Sequence, residues 1–279
     1  MSAGALREMQ FHLVASDIDG TLADGEGRLS TATVRTLRAL LDAGVPVTLV
    51  TGLNPWPARR YVEQIGHGVR AISLNGVFLL EEGKVQPGRF IAPEVARRAV
   101  KKIRALGCVP QVYGEDLVTR YLPIPQGMPS MQTLIDERPF QPYEAVETAE
   151  ALFPVPPAQV ALYDNEARAL KAYESLQAAL GDEAYVVLQP GTRAWVEVNH
   201  PEARKDTVLL ALAQRLDIAP EEVLYFGDSL NDRRVFERLP HCVAVANARP
   251  EIKALAWKIA PGNDEDGVAR TLVKLFGLA

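Results

Sequence analysis

FHLVASDIDGTL, residues 11–22, joins a short apolar run to an acidic turn that contains glycine. An apolar run that stops at such a turn is typical of a buried parallel strand. In open α/β sheets, ligands bind beyond the carboxyl ends of the strands. We therefore predict a ligand site at Asp17 and Asp19, where one carboxylate can attack phosphorus and the other can transfer protons. Gly20 permits a tight turn whose backbone amides face an anion.

An Asp–Gly turn is also common in sheets that bind nothing, so the surrounding pattern matters. Ser30 is a suitable N-cap, apolar residues recur at helical spacing from Val34 to Leu41, and Gly44 is suited to end that helix. Strands and helices also alternate in the remainder of the N-terminal and C-terminal parts of the chain. Strands are predicted at 47–50, 71–74, 223–226 and 242–246, a hairpin at 77–89, and helices at 55–65, 207–216, 232–239, 251–256 and 267–276. This alternation predicts an α/β fold with a Rossmann-like parallel-sheet core.

The middle of the chain has a different pattern, that of an inserted α+β module. Helices are predicted at 94–106 and 167–180, and strands at 111–113, 117–122, 159–163, 185–189 and 195–199. Eight of the twenty prolines fall between Tyr121 and Pro157, which predicts an irregular, loop-rich connection there. We expect residues 1–82 and 201–279 to form a catalytic core, and residues 83–200 to form an inserted cap domain.

A second acidic turn, GDSLND at residues 227–232, also follows an apolar strand. Mg²⁺ prefers carboxylate oxygens together with water and substrate phosphate. Asp228 and Asp17 can each supply one oxygen, the carbonyl of Asp19 a third, and Asp232 can bind the metal directly or hold a bound water. The same turn also suits a helix N-terminus with an acidic cap, and the two interpretations are compatible.

Two weaker signals complete the set. The hydroxyl of Thr51 and the backbone amide of Gly52, at the end of a predicted strand, can receive phosphoryl oxygens. Lys205, at the start of a predicted helix, can neutralise charge on a transferred phosphoryl group. A lone lysine is usually exposed to solvent, so only the combination gives these residues weight.

The acidic turn, the Thr–Gly pair, the lysine and the second acidic turn, in that order, resemble the haloacid dehalogenase (HAD) superfamily of phosphotransferases. The resemblance covers residues 11–76 and the chain from Lys205 onward. The inserted module, the SLNG segment at 73–76, and the segments NARPE at 247–251 and DEDGV at 264–268 resemble the Cof-type branch.

The resemblance implies a Mg²⁺-dependent phosphatase that acts through an aspartyl-phosphate. Asp17 would be the nucleophile and a metal ligand, and Asp19 the general acid and base, with its carbonyl on the metal. Lys205 would hold phosphoryl oxygens and keep Asp17 ionised. Asp228 would bind Mg²⁺, and Asn231 and Asp232 would steady the metal or the lysine. Phosphate contacts are assigned to Gly20, Thr51, Gly52, Asn75 and Asn231.

Two departures from the usual pattern stand out. Leu53 follows the Thr–Gly pair where many relatives have arginine, so a substrate contact is either missing or moved to Arg59 or Arg60. Arg204 precedes Lys205 and competes with it for the same assignment; we prefer Lys205 because an amphipathic helix follows it.

Composition limits the partners and the location that can be expected for the protein. A net charge of −5 and a pI near 5.5 argue against a nucleic-acid partner. No apolar run approaches membrane-spanning length, and residues 1–10 lack the pattern of a signal peptide. Cys108 and Cys242 are expected to be buried thiols. We expect a cytoplasmic monomer or homodimer that acts on a small phosphorylated metabolite.

Alternative functions differ in what they require of the site. A dehalogenase would not need the acid at Asp19, so carbon–halogen hydrolysis is disfavoured. A sugar phosphomutase remains an alternative, and a non-catalytic binding protein on the same fold is another. Cap residues Tyr113, Arg120 and Arg193 could suit a sugar, a nucleotide or a cofactor phosphate, so the substrate stays open.

Overall fold

The structure, a computed structural model, describes residues 10–124, 129–137, 141–189, 191 and 193–278. Its strands are β1 (Leu13–Ser16), β2 (Val47–Val50), β3 (Arg70–Ser73), β4 (Phe78–Glu81), β5 (Lys84–Pro87), β6 (Gln111–Gly114), β7 (Thr119–Tyr121), β8 (Tyr143–Ala145), β9 (Pro157–Asn165), β10 (Tyr185–Gln189), β11 (Arg193–Asn199), β12 (Val223–Gly227), β13 (Cys242–Val245) and β14 (Lys258–Ala260). Its helices are α1 (Thr31–Asp42), α2 (Pro55–Ile65), α3 (Pro93–Ala105), α4 (Pro129–Glu137), α5 (Glu166–Leu180), α6 (Lys205–Arg215), α7 (Arg233–Arg238), α8 (Pro250–Lys253) and α9 (Gly267–Phe276).

An eight-stranded sheet, in the order β14-β13-β12-β1-β2-β3-β4-β5, contains β1 near its centre. β1 pairs in parallel with β12 and with β2, so that Ser16 lies opposite both Phe226 and Leu49. All four residues of β1 are buried, as expected for a strand of a parallel sheet covered on both faces. The predicted α/β fold with a parallel-sheet core is confirmed.

Local signals explain where the first helix begins and ends. The Ser30 hydroxyl accepts a hydrogen bond from the N–H of Thr33 (3.0 Å), which satisfies a donor at the start of α1. Leu37 and Leu40 from its apolar stripe are buried in the core. Gly44 adopts a φ of 81°, the left-handed conformation that ends a helix at low cost.

The chain divides into two compact units, each with its own apolar core. Unit 1 comprises the chain up to Leu53, residues 58–86 and the chain from Lys205; unit 2 comprises residues 54–57 and 87–204. Unit 2 contains a six-stranded sheet in the order β10-β11-β9-β6-β7-β8, which is antiparallel except for the β7–β8 pair. The long insertion thus begins and ends about four residues beyond the boundaries assigned from the sequence.

The prediction of an irregular connection between residues 121 and 157 was wrong in part, because α4 and β8 form there. Proline at the first position of a helix removes no hydrogen bond, so Pro129 is compatible with the start of α4. β8 is stabilised by parallel pairing with β7, where Arg120 lies opposite Glu144. The edge strand β14 was not predicted, and α8 is shorter than the helix expected at 251–256.

Two further expectations concern thiols and membranes. Cys108 and Cys242 are both free and buried, as predicted. Within the residues that the structure describes, no helix has the length and hydropathy that crossing a bilayer requires.

Candidate active site

Asp17 follows β1 directly, and its side chain is buried. Its backbone N–H donates to the carbonyl of Phe226 (2.9 Å), so Asp17 extends the pairing of the two central strands. Its carboxylate Oδ1 accepts a hydrogen bond from the N–H of Ile18 (2.8 Å) and lies 3.1 Å from Lys205 Nζ. Burial raises the pKa of Asp17 well above its usual range, while the charge of Lys205 opposes that rise. The strand end therefore holds a carboxylate in fixed orientation beside a cation.

Lys205 is the first residue of α6, and its ammonium is buried between two carboxylates. Nζ lies 2.7 Å from Asp232 Oδ1 and 3.1 Å from Asp17 Oδ1. Burial disfavours the charged form, but the charges of Asp17 and Asp232 outweigh it and raise the pKa of Lys205. The competing residue, Arg204, places its guanidinium carbon 5.9 Å from the centre of the Tyr185 ring in unit 2. Lys205 is therefore the cation that the structure places beside Asp17.

Asp228 connects the two acidic turns. The Thr21 hydroxyl donates to Asp228 Oδ1 (2.7 Å). Gly20 has a φ of 76°, and a Cβ atom at this position would lie 2.7 Å from Asp228 Oδ2. Burial and then the charge of Asp232 raise the pKa of Asp228 to about 7, against the effect of the Thr21 hydrogen bond. The first turn thus needs glycine at residue 20 because the carboxylate of the second turn occupies the adjacent space.

Asp232 is completely buried, and four donors surround its two oxygens. Oδ1 accepts hydrogen bonds from Lys205 Nζ (2.7 Å) and from the Tyr225 hydroxyl (2.6 Å). Oδ2 accepts from the backbone N–H groups of Asp228 (3.0 Å) and Ser229 (3.1 Å). Among the uses considered for Asp232, this geometry favours steadying the lysine over direct binding of a metal.

The carboxylates fit a divalent cation. Asp17, Asp228 and Asp232 each offer an oxygen, and these atoms lie within 4.8 Å of one another. Lys205 supplies a single positive charge to this group, and the pKa values of Asp17 and Asp228 remain raised in its presence. Oxygen ligands with an excess of negative charge suit a hard cation such as Mg²⁺. Because the oxygens of Asp232 already accept four hydrogen bonds, Asp17 and Asp228 are the side chains suited to hold it.

Asp19 differs from its neighbours in exposure. Its side chain is exposed, and its backbone is extended (φ −70°, ψ 122°) within the turn of residues 18–22. An exposed carboxyl beside a buried one is a suitable arrangement for a group that exchanges protons with substrate and water. The acid–base role of Asp19 and the role of its carbonyl remain predictions.

Thr51 lies at the end of β2, and its polar atoms bind the backbone around it. Its N–H donates to the carbonyl of Ile72 (2.8 Å), its carbonyl accepts from the N–H of Asn75 (3.0 Å), and its hydroxyl oxygen accepts from the N–H of Leu53 (3.0 Å). Gly52 follows and is partly buried. These bonds fix the Thr–Gly turn, while its contact with phosphate remains a prediction.

The structure brings together Asn75 and Asn231, which are 156 residues apart in sequence. Asn231 Nδ2 donates to Asn75 Oδ1 (3.1 Å), and both side chains are buried. Asn75 and the preceding Leu74 have positive φ values of 56° and 45°, so this turn is conformationally strained. The Oδ1 atom of Asn231 has no hydrogen-bond partner among the described residues.

The departure at Leu53 has a structural explanation. Leu53 is 8% exposed and belongs to the apolar core of unit 1, a position that an arginine would not fill without a partner. Arg59 and Arg60, the suggested substitutes, donate to the backbone carbonyls of Gly83 (3.3 Å) and Gly27 (3.0 Å). Both arginines therefore bind loops of unit 1.

The cap residues proposed from the sequence do not identify a substrate. Arg120 forms ion pairs with Asp116 (2.7 Å) and Glu144 (2.8 Å), and Tyr113 is buried. The side chain of Arg193 lies outside the part of the chain that the structure describes.

Three residues that contact the site were given no individual role from the sequence: Thr21, Tyr225 and Asn247. Thr21 stands within the first motif, and Tyr225 introduces a hydroxyl into an otherwise apolar strand, which is a signal that can be recognised. Asn247 Nδ2 donates to the carbonyl of Gly20 (2.6 Å) across 227 residues of sequence, and no local pattern could have predicted that contact.

The chain is similar to known proteins in both sequence and fold. The family model of haloacid dehalogenase-like hydrolases matches residues 14–272. The putative phosphatase YkrA of Bacillus subtilis is 27% identical over 276 residues, covering 97% of this chain and 99% of that protein. A phosphoglycolate phosphatase of Methanothermobacter thermautotrophicus is 25% identical over 264 residues, covering 95% of this chain and 98% of that protein.

Solved structures show the same fold. The HAD subclass IIB sugar phosphatase BT4131 has a TM-score of 0.77 at 20% identity, covering 96% of this chain and 99% of that chain. At this level of identity the likeness concerns the fold alone.

Proposed function

The chain belongs to the haloacid dehalogenase-like hydrolase family, and we propose that it is a Mg²⁺-dependent phosphatase that cleaves small phosphate monoesters through an aspartyl-phosphate on Asp17. The family match confirms the resemblance inferred from the sequence motifs, including the Cof-type branch, and identifies the chain as a phosphoric monoester hydrolase. The metal, the covalent intermediate and the class of substrate are the proposed parts.

One observation carries the proposal. The buried Asp17 carboxylate, at the end of the central strand, lies 3.1 Å from Lys205 Nζ and in the same acidic cluster as Asp228. Among the described residues, the N–H of Ile18 and the ammonium of Lys205 both bind Oδ1 of that carboxylate. The carboxylate is thus held from one side, and Oδ2 is the oxygen suited to attack.

In the proposed first step, a carboxylate oxygen of Asp17 attacks phosphorus and the bond from phosphorus to the ester oxygen breaks. Asp19 donates a proton to that leaving oxygen, which departs as an alcohol. Lys205 neutralises part of the negative charge on the transferred phosphoryl group. The product on the enzyme is an acyl phosphate on Asp17.

In the second step, water attacks phosphorus, and Asp19, now ionised, accepts a proton from it. The bond between phosphorus and the Asp17 oxygen breaks, which releases inorganic phosphate and regenerates the carboxylate. A cation bound by Asp17 and Asp228 would neutralise charge on the phosphoryl oxygens and on the cluster itself. Asp232 keeps Lys205 in place through both steps, because its Oδ1 is 2.7 Å from Nζ.

The relatives suggest which substrates to try. One related protein is named a phosphoglycolate phosphatase, and a solved structure of the same fold is described as a sugar phosphatase. We therefore propose small phosphorylated metabolites as the substrate class.

The test is phosphate release from phosphoglycolate, sugar phosphates, nucleotides and cofactor phosphates, with Mg²⁺ or with EDTA. We expect turnover that requires Mg²⁺ and that Asp17→Asn lowers by roughly 10³-fold or more. Asp42→Asn, at the exposed end of α1, is the matched control and should retain wild-type turnover. Turnover in EDTA, or an active Asp17→Asn variant, would contradict the proposal.

The alternative of a sugar phosphomutase has its own signature. A mutase would isomerise a hexose 1-phosphate without net release of phosphate. Isomerisation by the wild type, together with an inactive hydrolysis panel, would favour it. The non-catalytic alternative is not supported by the family match or by the intact set of Asp17, Asp19, Lys205 and Asp228.

A further inference from the structure

A short segment after β13 contacts both acidic turns. Asn247 Nδ2 donates to the carbonyl of Gly20 (2.6 Å), next to Asp19 in the first turn. Two residues later, the N–H of Arg249 donates to the carbonyl of Asp228 (3.0 Å) in the second turn. One segment of three residues therefore fixes the backbone of both turns.

A second segment supports the first. The N–H of Asn263 donates to Asn247 Oδ1 (3.0 Å), so both ends of the Asn247 amide are used. Asn263 Nδ2 donates to the carbonyl of Ala23 (2.9 Å), at the end of the first turn. The two asparagines thus hold the backbone carbonyls of Gly20 and Ala23, one on each side of Thr21.

Two aspartates extend these contacts along the same loop. Asp264 Oδ1 accepts from the N–H of Gly25 (2.9 Å), and Asp266 Oδ1 accepts from the hydroxyl of Thr33 (3.1 Å) in α1. We call residues 247–249 and 263–266 the brace. The brace binds the chain from the acidic turn to the first helix through the side chains of Asn247, Asn263, Asp264 and Asp266.

We propose that Asn247 and Asn263 are positioning residues for the proton transfer by Asp19, an inference that rests on the proposed function. The Asp19 side chain is exposed, and the carbonyl that Asn247 binds belongs to the residue that follows it. Without that hydrogen bond, Gly20 regains the freedom that its missing side chain allows. Small displacements of a proton donor reduce its catalytic contribution strongly, since general acid catalysis requires hydrogen-bond reach.

Two esters with different leaving groups separate positioning from general structure. Protonation of the leaving oxygen matters greatly for an alkyl phosphate and little for p-nitrophenyl phosphate, whose leaving group is stable as an anion. We expect Asn247→Ala to lower kcat/KM roughly 10- to 100-fold for the alkyl ester and less than about threefold for the aryl ester. Asn263→Ala should show the same selectivity, and Asn247→Asp, which replaces the donor by an acceptor, should show it too.

The ratio of kcat/KM for the alkyl ester to kcat/KM for the aryl ester does not depend on how much of the enzyme is folded, because the same sample hydrolyses both esters. Asn165→Ala, at the exposed N-cap of α5 in unit 2, is the matched control and should leave both rates unchanged. In an Asp19→Ala background, Asn247→Ala should cause little additional loss, because the residue that it positions is gone.

The outcomes distinguish the two proposals. The positioning role would be overturned if Asn247→Ala lowered kcat/KM equally for both esters. It would also be overturned if Asn247→Ala caused its full loss of kcat/KM in the Asp19→Ala background. An Asp19→Ala variant that itself shows no preference between the esters would instead count against the proposed function.

Discussion

Four carboxylates lie on two adjacent turns, and they differ in exposure and in hydrogen bonding. Asp17 is buried and accepts at Oδ1, Asp19 is exposed, and Asp228 accepts from Thr21. Asp232 binds four donors and has no exposed surface. At the scale of single residues, exposure and donor count distinguish the four carboxylates, in line with the proposed roles of nucleophile, acid, metal ligand and support.

The glycine of the first turn provides a direct test of this arrangement. In Gly20→Ala, the new Cβ atom would start 2.7 Å from Asp228 Oδ2, so the Asp228 carboxylate must move. We expect the Mg²⁺ concentration for half-maximal activity to rise roughly tenfold or more. It is measured by titrating activity with Mg²⁺.

Gly83→Ala is the matched control, since Gly83 has a similar φ of +74° but nothing within 4 Å of the added atom. Both variants carry the strain of a left-handed alanine, about 1–3 kcal/mol. A Gly20→Ala enzyme with the Mg²⁺ dependence of Gly83→Ala would show that Asp228 has room to adjust.

The sequence predicted the identity of the principal site residues better than their partners. Asp17, Lys205 and Asp228 each follow a recognisable strand end or begin a helix, so topology alone places them at one edge of the sheet. The hydroxyl of Tyr225 binds Asp232, and although a tyrosine in an apolar strand can be recognised, the strand pattern does not indicate what its hydroxyl binds. Which way a buried polar atom points depends on packing, and no periodicity encodes it.

At the scale of elements, an acidic side chain joins two strands and a helix. Glu81 at the end of β4 accepts from Arg70 Nε of β3 (2.5 Å) and from Arg215 Nη2 of α6 (2.8 and 2.9 Å). Its side chain is 15% exposed, and the hydrogen bond from Arg70 lowers its pKa below the ordinary value of 4.5, although partial burial opposes this. Because α6 begins at Lys205, this contact also ties the far end of that helix to the sheet.

The lowered pKa fixes the pH dependence of stability. A depressed carboxyl pKa stabilises the fold above the unfolded-state value of about 4.5, and the contribution is lost as the pH falls through the folded-state pKa. We expect Glu81→Gln to reduce the free energy of unfolding of unit 1 by about 1 kcal/mol at pH 7. Urea denaturation should show this difference shrinking below pH 4.5.

Glu82→Gln, at the exposed neighbouring position, is the control and should match the wild type at both pH values. A difference between Glu81→Gln and wild type that does not depend on pH would contradict an electrostatic origin.

Elements with strong local signals were predicted with nearly their observed bounds. The helix expected at 55–65 is α2, and the helix expected at 267–276 is α9, because apolar residues recur at helical spacing in both. α4 and β8 were missed because prolines concentrate around them, although proline is harmless at the first position of a helix. β14 has only three residues, too few for an alternation of apolar and polar residues to be recognised. It forms because it pairs with β13, a contact that its own sequence does not indicate.

At the scale of the whole molecule, each unit has a separate core, so a core substitution should act on one unit. Leu162 is fully buried in β9 of unit 2. We expect Leu162→Ala to destabilise unit 2 by about 2–5 kcal/mol. Hydrogen exchange should then show reduced protection in β6, β9 and β11, with unchanged protection in β1 and β12.

Leu49→Ala, in β2 of unit 1, should produce the reciprocal pattern. Equal loss of protection in both units from either substitution would mean that the chain unfolds as a single cooperative block.

The pairing of β1 with β12 has a consequence for the chain as it is being made. Leu13 lies opposite Val223, so the strand that precedes Asp17 leaves the ribosome about 200 residues before its neighbour. At ~5–20 residues per second, that interval is roughly 10–40 s, during which a strand whose four residues are all buried in the folded protein has no partner on one side. Unit 2 is almost entirely one continuous stretch, 87–204, and can complete its sheet in that time. The first acidic turn gains its hydrogen bond from Asn247 later still, because Asn247 follows Gly20 by 227 residues.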